Sequence, residues 1–148
     1  MRLEFSAGGI VYKKHNGKIE WLIVQSAEYG GWVFPKGLIG DTKRGESIEE
    51  AALREAEEEG GVKANIVERI TPPIEYFYKR DGDLRKKTVY YFLMEYLSGD
   101  PVNHDDEMRD AKFVSEAELR KILTYKNDLD SFENALKVFK KKSVNRLF

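Results

Sequence analysis

A chain of 148 residues, 41% hydrophobic and 34% charged, suits one globular domain over residues 1–148, and no apolar run nears the ~20 residues of a bilayer-spanning helix. With no cysteine and only His15 and His104, disulfides, thiolate sites and histidine-rich metal centres are excluded, so a bound metal must sit mainly on oxygen. A net charge of −1 argues against non-specific nucleic-acid binding, and Met1-Arg2-Leu3-Glu4-Phe5 lacks the layout of a secretory signal, so a cytoplasmic protein with no membrane association is expected.

Ala7 to Lys13 reads as a strand, and Asn16-Gly17 offers a hairpin turn into the continuous apolar run Trp21-Leu22-Ile23-Val24. A run of that kind suits a strand buried on both faces. Trp32-Val33-Phe34 is a short third strand, stopped by Pro35 and Gly37. A helix is expected from Ser47, which forms a capping-box pattern with Glu50, to the Gly60-Gly61 stop. Ile66 to Thr71, Ile74 to Tyr78 and Thr88 to Leu97 read as strands, with Asp81-Gly82 in the turn between the last two. Val89 to Met94 is too apolar for a sheet edge and should be central. Two helices close the chain. One runs from Ser115 to Leu123 with a second capping box at Glu118, and the other starts at about Asp130 with Phe132, Ala135, Leu136 and Phe139 on one face. Without a βαβα rhythm, the fold class is α+β: a mixed β-sheet sandwiched between helices.

The informative helix is Ser47–Glu59. At about 100° per residue, Ile48, Ala51 and Ala52 form a small apolar stripe that must face the sheet. Glu55, Glu58 and Glu59, spaced i, i+3, i+4, largely continue that stripe. Carboxylates at a helix C-terminus oppose the macrodipole at about 0.3–1 kcal/mol each, and neighbouring like charges add a little more. A compensating cation is expected: Arg54 for part of the charge, a hard divalent ion for the rest. A solvated Glu-rich helix is the plainer alternative.

The wider spacing decides between them. Gly40-x5-Glu46-x7-Arg54-Glu55-Ala56-x-Glu58-Glu59-x-Gly61-Val62 resembles the box of the Nudix hydrolases at all seven fixed polar or glycine positions. Chance would give such a match at a given start with a frequency on the order of 10⁻⁸. The resemblance implies a Nudix-like α/β/α fold and a Mg²⁺-dependent hydrolase, with Mn²⁺ able to substitute, that cuts a pyrophosphate link in a nucleotide-like substrate. It implies that Glu58, Glu59 and Glu55 hold the metal, with a backbone carbonyl from either Gly37 or Gly40. Gly40 has the formal spacing, whereas Phe34-Pro35-Lys36-Gly37 matches the approach to the box in relatives, which favours Gly37 and a three-residue insertion. Glu46 and Arg54 would stand behind the ligands, Arg54 orienting them by bidentate contact. The base would be Glu55 or an acid outside the box, such as Glu107 in His104-Asp105-Asp106-Glu107. A solvated acidic loop is the other reading of Glu107.

Phosphate charge needs cations, and Lys36 and the cluster Arg85, Lys86, Lys87 are the candidates; a hairpin kept soluble by charge is the alternative for the cluster. Tyr76 and Tyr78 share one strand face, and with Tyr125 they offer aromatic planes for a base, although half-buried sheet packing also explains tyrosines on strands. Together with Leu123-Thr124-Tyr125 before Asn127-Asp128, these residues look like the diadenosine polyphosphate hydrolase branch. That branch implies asymmetric cleavage of diadenosine tetraphosphate to ATP and AMP, with Lys36 and Lys87 on phosphates and Tyr76 or Tyr78 and Tyr125 on adenine. Rival substrates are diphosphoinositol polyphosphates, nucleotide sugars or ADP-ribose, and RNA 5′ ends. A non-catalytic nucleotide-binding module is the rival from outside enzymology. Oligomeric state is not legible.

Overall fold

The computed structural model describes residues 1–40 and 43–145. Strands β1 (Arg2–His15) and β2 (Lys18–Ser26) are joined at Asn16-Gly17, where both residues take the positive φ, 50° and 77°, that a two-residue hairpin requires. Then follow β3 (Trp32–Val33), β4 (Lys36–Leu38), α1 (Ile48–Gly60), β5 (Val62–Arg69), β6 (Ile74–Arg80) and β7 (Asp83–Gly99). After a short 3₁₀ turn at Pro101–Asn103 the chain forms β8 (Met108–Val114), α2 (Glu116–Ile122) and α3 (Lys126–Asn145). Eight strands make one sheet in the order β3-β2-β1-β7-β5, with β4 also on β1, β6 on β7 and β8 on β2. The central β1–β7 pair is parallel and the other pairs are antiparallel, so the sheet is mixed, as expected.

Side-chain alternation along the strands builds two cores. On one face, Ala7, Val11, Leu22, Phe92 and Met94 pack on Ala51, Ala52 and Ala56 of α1. Those three alanines are almost wholly buried and let the helix lie close on the strands. On the other face, Ile10, Tyr12, Trp21, Tyr91 and Leu93 meet Leu119 of α2 and Phe132, Ala135 and Leu136 of α3. Trp21 sits edge-on to Phe132 and Phe139, at centroid distances of 5.0 and 5.6 Å. No helix among the described residues is long and apolar enough to cross a membrane.

Beside earlier starts for β1, β5 and β7, four elements differ from the sequence reading. β4 is a strand where a stop was expected: β1 pairs with β2 at Tyr12–His15 but with β4 at Ser6–Gly8, and the gap between accepts Lys36–Leu38. β8 was not foreseen, because Arg109, Asp110 and Lys112 mask its alternation; pairing with β2 and burial of Met108, Ala111 and Val114 override local propensity. α3 begins at Lys126 rather than near Asp130. At α2, Ser115 caps by accepting from the Glu118 N–H, but the Glu118 carboxylate lies on Lys112 at 3.3 Å.

Candidate active site

Helix α1 is fixed at both ends by its own sequence. The Ser47 hydroxyl accepts from the Glu50 N–H (3.0 Å), and the Glu50 carboxylate accepts from the Ser47 N–H (3.1 Å). Gly61, at φ 71°, returns its N–H to the Ala56 and Glu57 carbonyls. The last turn has no basic residue, so Glu55, Glu58 and Glu59 meet the negative end of the helix without help from that turn.

Relief comes from Arg54. Its guanidinium grips Glu46 bidentately, Nε to Oε2 at 3.0 Å and Nη2 to Oε1 at 2.7 Å. Nη1 donates to both Glu55 (2.8 Å) and Glu58 (3.0 Å), and Nη2 reaches the Leu38 carbonyl at 3.2 Å. These bonds hold the Glu46 carboxyl below the usual carboxylate range. Glu55 and Glu59 go the other way: burial pushes Glu55 up to about 7 and Glu59 up to about 8. Glu58 is different, with its side chain 38% exposed, so the inward-facing carboxylates are two rather than three.

Strand β4 supplies the other wall. The Lys36 N–H donates to the Glu59 carboxylate at 3.0 Å, and a Cβ built on Gly37 would collide with the Glu55 carboxylate. Any side chain there would have to push the Glu55 carboxylate aside. Gly40 has a separate task, donating its N–H to Glu46 at 2.9 Å at the positive φ of 79°. So Gly37, not Gly40, lies beside the acids.

Among the described residues no three Asp, Glu or His side chains converge into a closed ion cage; Glu55, Glu58 and Glu59 each turn to a protein donor instead. The donor set nonetheless fits a hard divalent cation: carboxylate oxygens held together, partly against their own burial, with Arg54 Nη1 standing as the bridging charge between Glu55 and Glu58.

Glu59 and Lys36 line a cleft of about 1040 Å³. Lys87, Tyr76, Tyr78, Tyr125 and Glu107 also line it, so the structure brings these predicted residues together. Burial, with Lys36 nearby, pushes the Lys87 ammonium down to about 8. Glu107 is exposed on the rim, where the 105–107 segment is tied to α1 by the Asp105 N–H on the Glu58 carbonyl (2.8 Å). Arg85 is the exception. It does not line the cleft; it is buried on Glu4 (3.1 Å), whose other oxygen accepts from the Tyr78 hydroxyl, so its charge is spent within the sheet. Lys86 points to the other face and pairs with Glu75.

Several lining residues escaped the sequence reading. Tyr91 donates to the buried Asp128 at 3.0 Å, and Tyr29, Lys79 and Arg80 add to the walls. Arg80 carried a usable signal, since it continues the Tyr76–Tyr78 alternation along β6. Asp128 was named only as part of the Asn127-Asp128 pair; its place in the cleft lining, under Tyr91, depends on how α3 docks.

A sheet clasped between α1 and the α2–α3 pair, with acids gathered at the end of α1, defines a Nudix domain, and the model of that family matches residues 3–135. The chain belongs to the Nudix family. Relatives favour its pyrophosphohydrolases. An asymmetrical bis(5′-nucleosyl)-tetraphosphatase of Caenorhabditis elegans is 32% identical over 123 residues, 81% of this chain and 85% of that protein. A Mycobacterium tuberculosis protein named MutT4 is 32% identical over 131 residues, 84% of this chain but 51% of that protein, so the chain spans about half of that relative. Among solved structures, a C. elegans Ap4A hydrolase binary complex superposes with a TM-score of 0.70 at 27% identity, covering 93% of this chain and 98% of that one. The Nudix domain of Shewanella oneidensis NrtR with ADP ribose shares the fold, with a TM-score of 0.74 at 20% identity over 94% and 90% of the two chains.

Proposed function

We propose that the chain hydrolyses a pyrophosphate bond in dinucleoside polyphosphates, cutting diadenosine tetraphosphate asymmetrically to ATP and AMP, in the cytoplasm. The carrying observation is the cleft, which buried Glu59, the lysines Lys36 and Lys87 and the tyrosines Tyr76, Tyr78 and Tyr125 line together. The names of one relative and one solved structure given above, both from C. elegans, support the same substrate.

Glu55, Glu58 and Glu59, with Gly37 at their side, would hold Mg²⁺ or Mn²⁺. When bound, the cation supplies charge stabilisation to the phosphate oxygens and makes water a better nucleophile. Arg54 keeps the carboxylates aligned through its contacts to Glu46, Glu55 and Glu58. Lys36 and Lys87 bind phosphate oxygens, Tyr76, Tyr78 and Tyr125 receive base planes, and Glu107 on the rim accepts the proton of the attacking water.

A panel of dinucleoside polyphosphates, nucleotide sugars, nucleoside triphosphates and 5′-triphosphorylated RNA, assayed with Mg²⁺ in ¹⁸O-water, tests this. Highest kcat/KM on diadenosine tetraphosphate, with label in one of the two products, is expected. A clear preference for nucleotide sugars or RNA ends would remove the substrate assignment. Binding without turnover of any of them would remove the enzyme.

A further inference from the structure

Tyr125 sits on the segment joining α2 to α3, about half exposed along the cleft wall. A stacking platform on a connecting segment has to be held from outside that segment. Two hydrogen bonds do so. The Trp32 N–H donates to the Thr124 hydroxyl at 2.8 Å, and the Thr124 N–H donates back to the Trp32 carbonyl at 3.1 Å. Trp32 and Leu123 also form a parallel bridge. The preceding residue completes the seat: a Cβ on Gly31 would lie 3.1 Å from the Tyr125 ring and its hydroxyl oxygen, so the ring lies directly over bare backbone. Gly31 is itself pinned, its carbonyl accepting from the Ser26 N–H at 2.9 Å.

We propose that Thr124 and Gly31 are positioning residues for nucleoside recognition, locking Tyr125 in the attitude in which its ring receives the base of a nucleoside polyphosphate. This rests on the reading of Tyr125 as a base platform. The threonine hydroxyl is an unusual choice of clasp. It satisfies a backbone donor on β3, and its loss would leave that N–H without its side-chain partner and the linker tied to β3 only by the Thr124 N–H and the Leu123 bridge, one clasp fewer. An effect confined to the base-binding wall would not reach the phosphates, which are held at Lys36 and Lys87.

Two ligands separate this from a merely structural clasp: methylene-bridged diadenosine tetraphosphate, which carries bases, and inorganic tetraphosphate, which does not. Affinities are measured by titration calorimetry with Mg²⁺ on the full chain. Thr124→Val is expected to weaken the dinucleotide by about tenfold, the order of a lost stacking contact, while inorganic tetraphosphate binds unchanged; Thr124→Ser is expected to restore wild-type affinity. Gly31→Ala keeps both hydrogen bonds and moves only the ring, by a few tenths of an ångström, so it should give a smaller loss of about two- to threefold with the same selectivity for the dinucleotide, and it serves if the valine variant does not fold. Equal weakening of both ligands, or of neither, overturns the proposal. Tyr125→Ala separates the two levels. If it leaves dinucleotide affinity intact, the platform itself is wrong; if it weakens the dinucleotide while Thr124→Val and Gly31→Ala do not, only the positioning role falls.

Discussion

Lys87 is a cation that the fold makes hard to keep. Its ammonium is buried beside Lys36, and its pKa falls from 10.5 to about 8. Two opposite pH effects follow. The charged form is disfavoured in the fold, so its penalty on stability is full below about 8 and is lifted as pH rises from there towards the unfolded value of 10.5. Phosphate binding needs the charge, so KM should climb as pH is raised from about 7 to about 9.5, while Lys87→Arg, charged throughout, should give a flat profile. Identical slopes for the two proteins would show that Lys87 does not hold phosphate. Arg54 answers to geometry rather than titration. Lysine in its place keeps the charge but cannot grip Glu46 bidentately while bridging Glu55 and Glu58, and kcat/KM should fall by about 10–100-fold with melting temperature little changed.

At the scale of elements, α1 was legible because its signals are local: Ser47 and Glu50 cap it, Gly61 ends it, and Ala51, Ala52 and Ala56 mark the buried face. β4 and β8 were not, because nothing in Lys36-Gly37-Leu38 or Met108–Val114 favours a strand until β1 and β2 offer an edge. The same distinction runs through the site. The acids could be read from helical spacing, whereas the contact that favours Gly37 over Gly40 belongs to the pairing of β4 with β1, which brings Gly37 opposite Ala7 and against Glu55. Gly37→Ala therefore tests an element-level contact. A methyl there must push the Glu55 carboxylate aside, so the Mg²⁺ concentration for half-maximal rate should rise by about tenfold or more while circular dichroism stays native. Gly40→Ala has open space around it and acts only through its positive φ, so it should change stability more than metal demand. The reverse ranking of the two variants would return the metal-facing role to Gly40.

For the whole molecule, the two cores divide the labour: α1 and its face of the sheet carry the acids, while the opposite core lies under the tyrosine-lined cleft. The fold class follows from hydrophobic patterning, but the cleft joins β6 and β7, the 26–31 loop and the start of α3, segments whose meeting no local pattern records. Arg85 shows the consequence, since its neighbour Lys87 faces the cleft along the same strand face while Glu4 from β1 claims Arg85 first. Because the acids of α1 are held together at the expense of burial and repulsion, a cation bound there must stabilise the entire domain, not only the helix end. At a hundredfold excess over its Kd, mass action adds about 2.7 kcal/mol, which in a domain of this size is about 5–10 °C in Tm. Scanning calorimetry of the protein in chelator and then in saturating Mg²⁺ should show that rise. Glu58→Gln should reduce it sharply, since Glu58 is the most accessible of the three acids and its carboxylate is already shared with Arg54. A Tm indifferent to Mg²⁺ in the wild-type chain would mean that Arg54, with the Lys36 N–H on Glu59, already satisfies these acids and that no ion belongs among them.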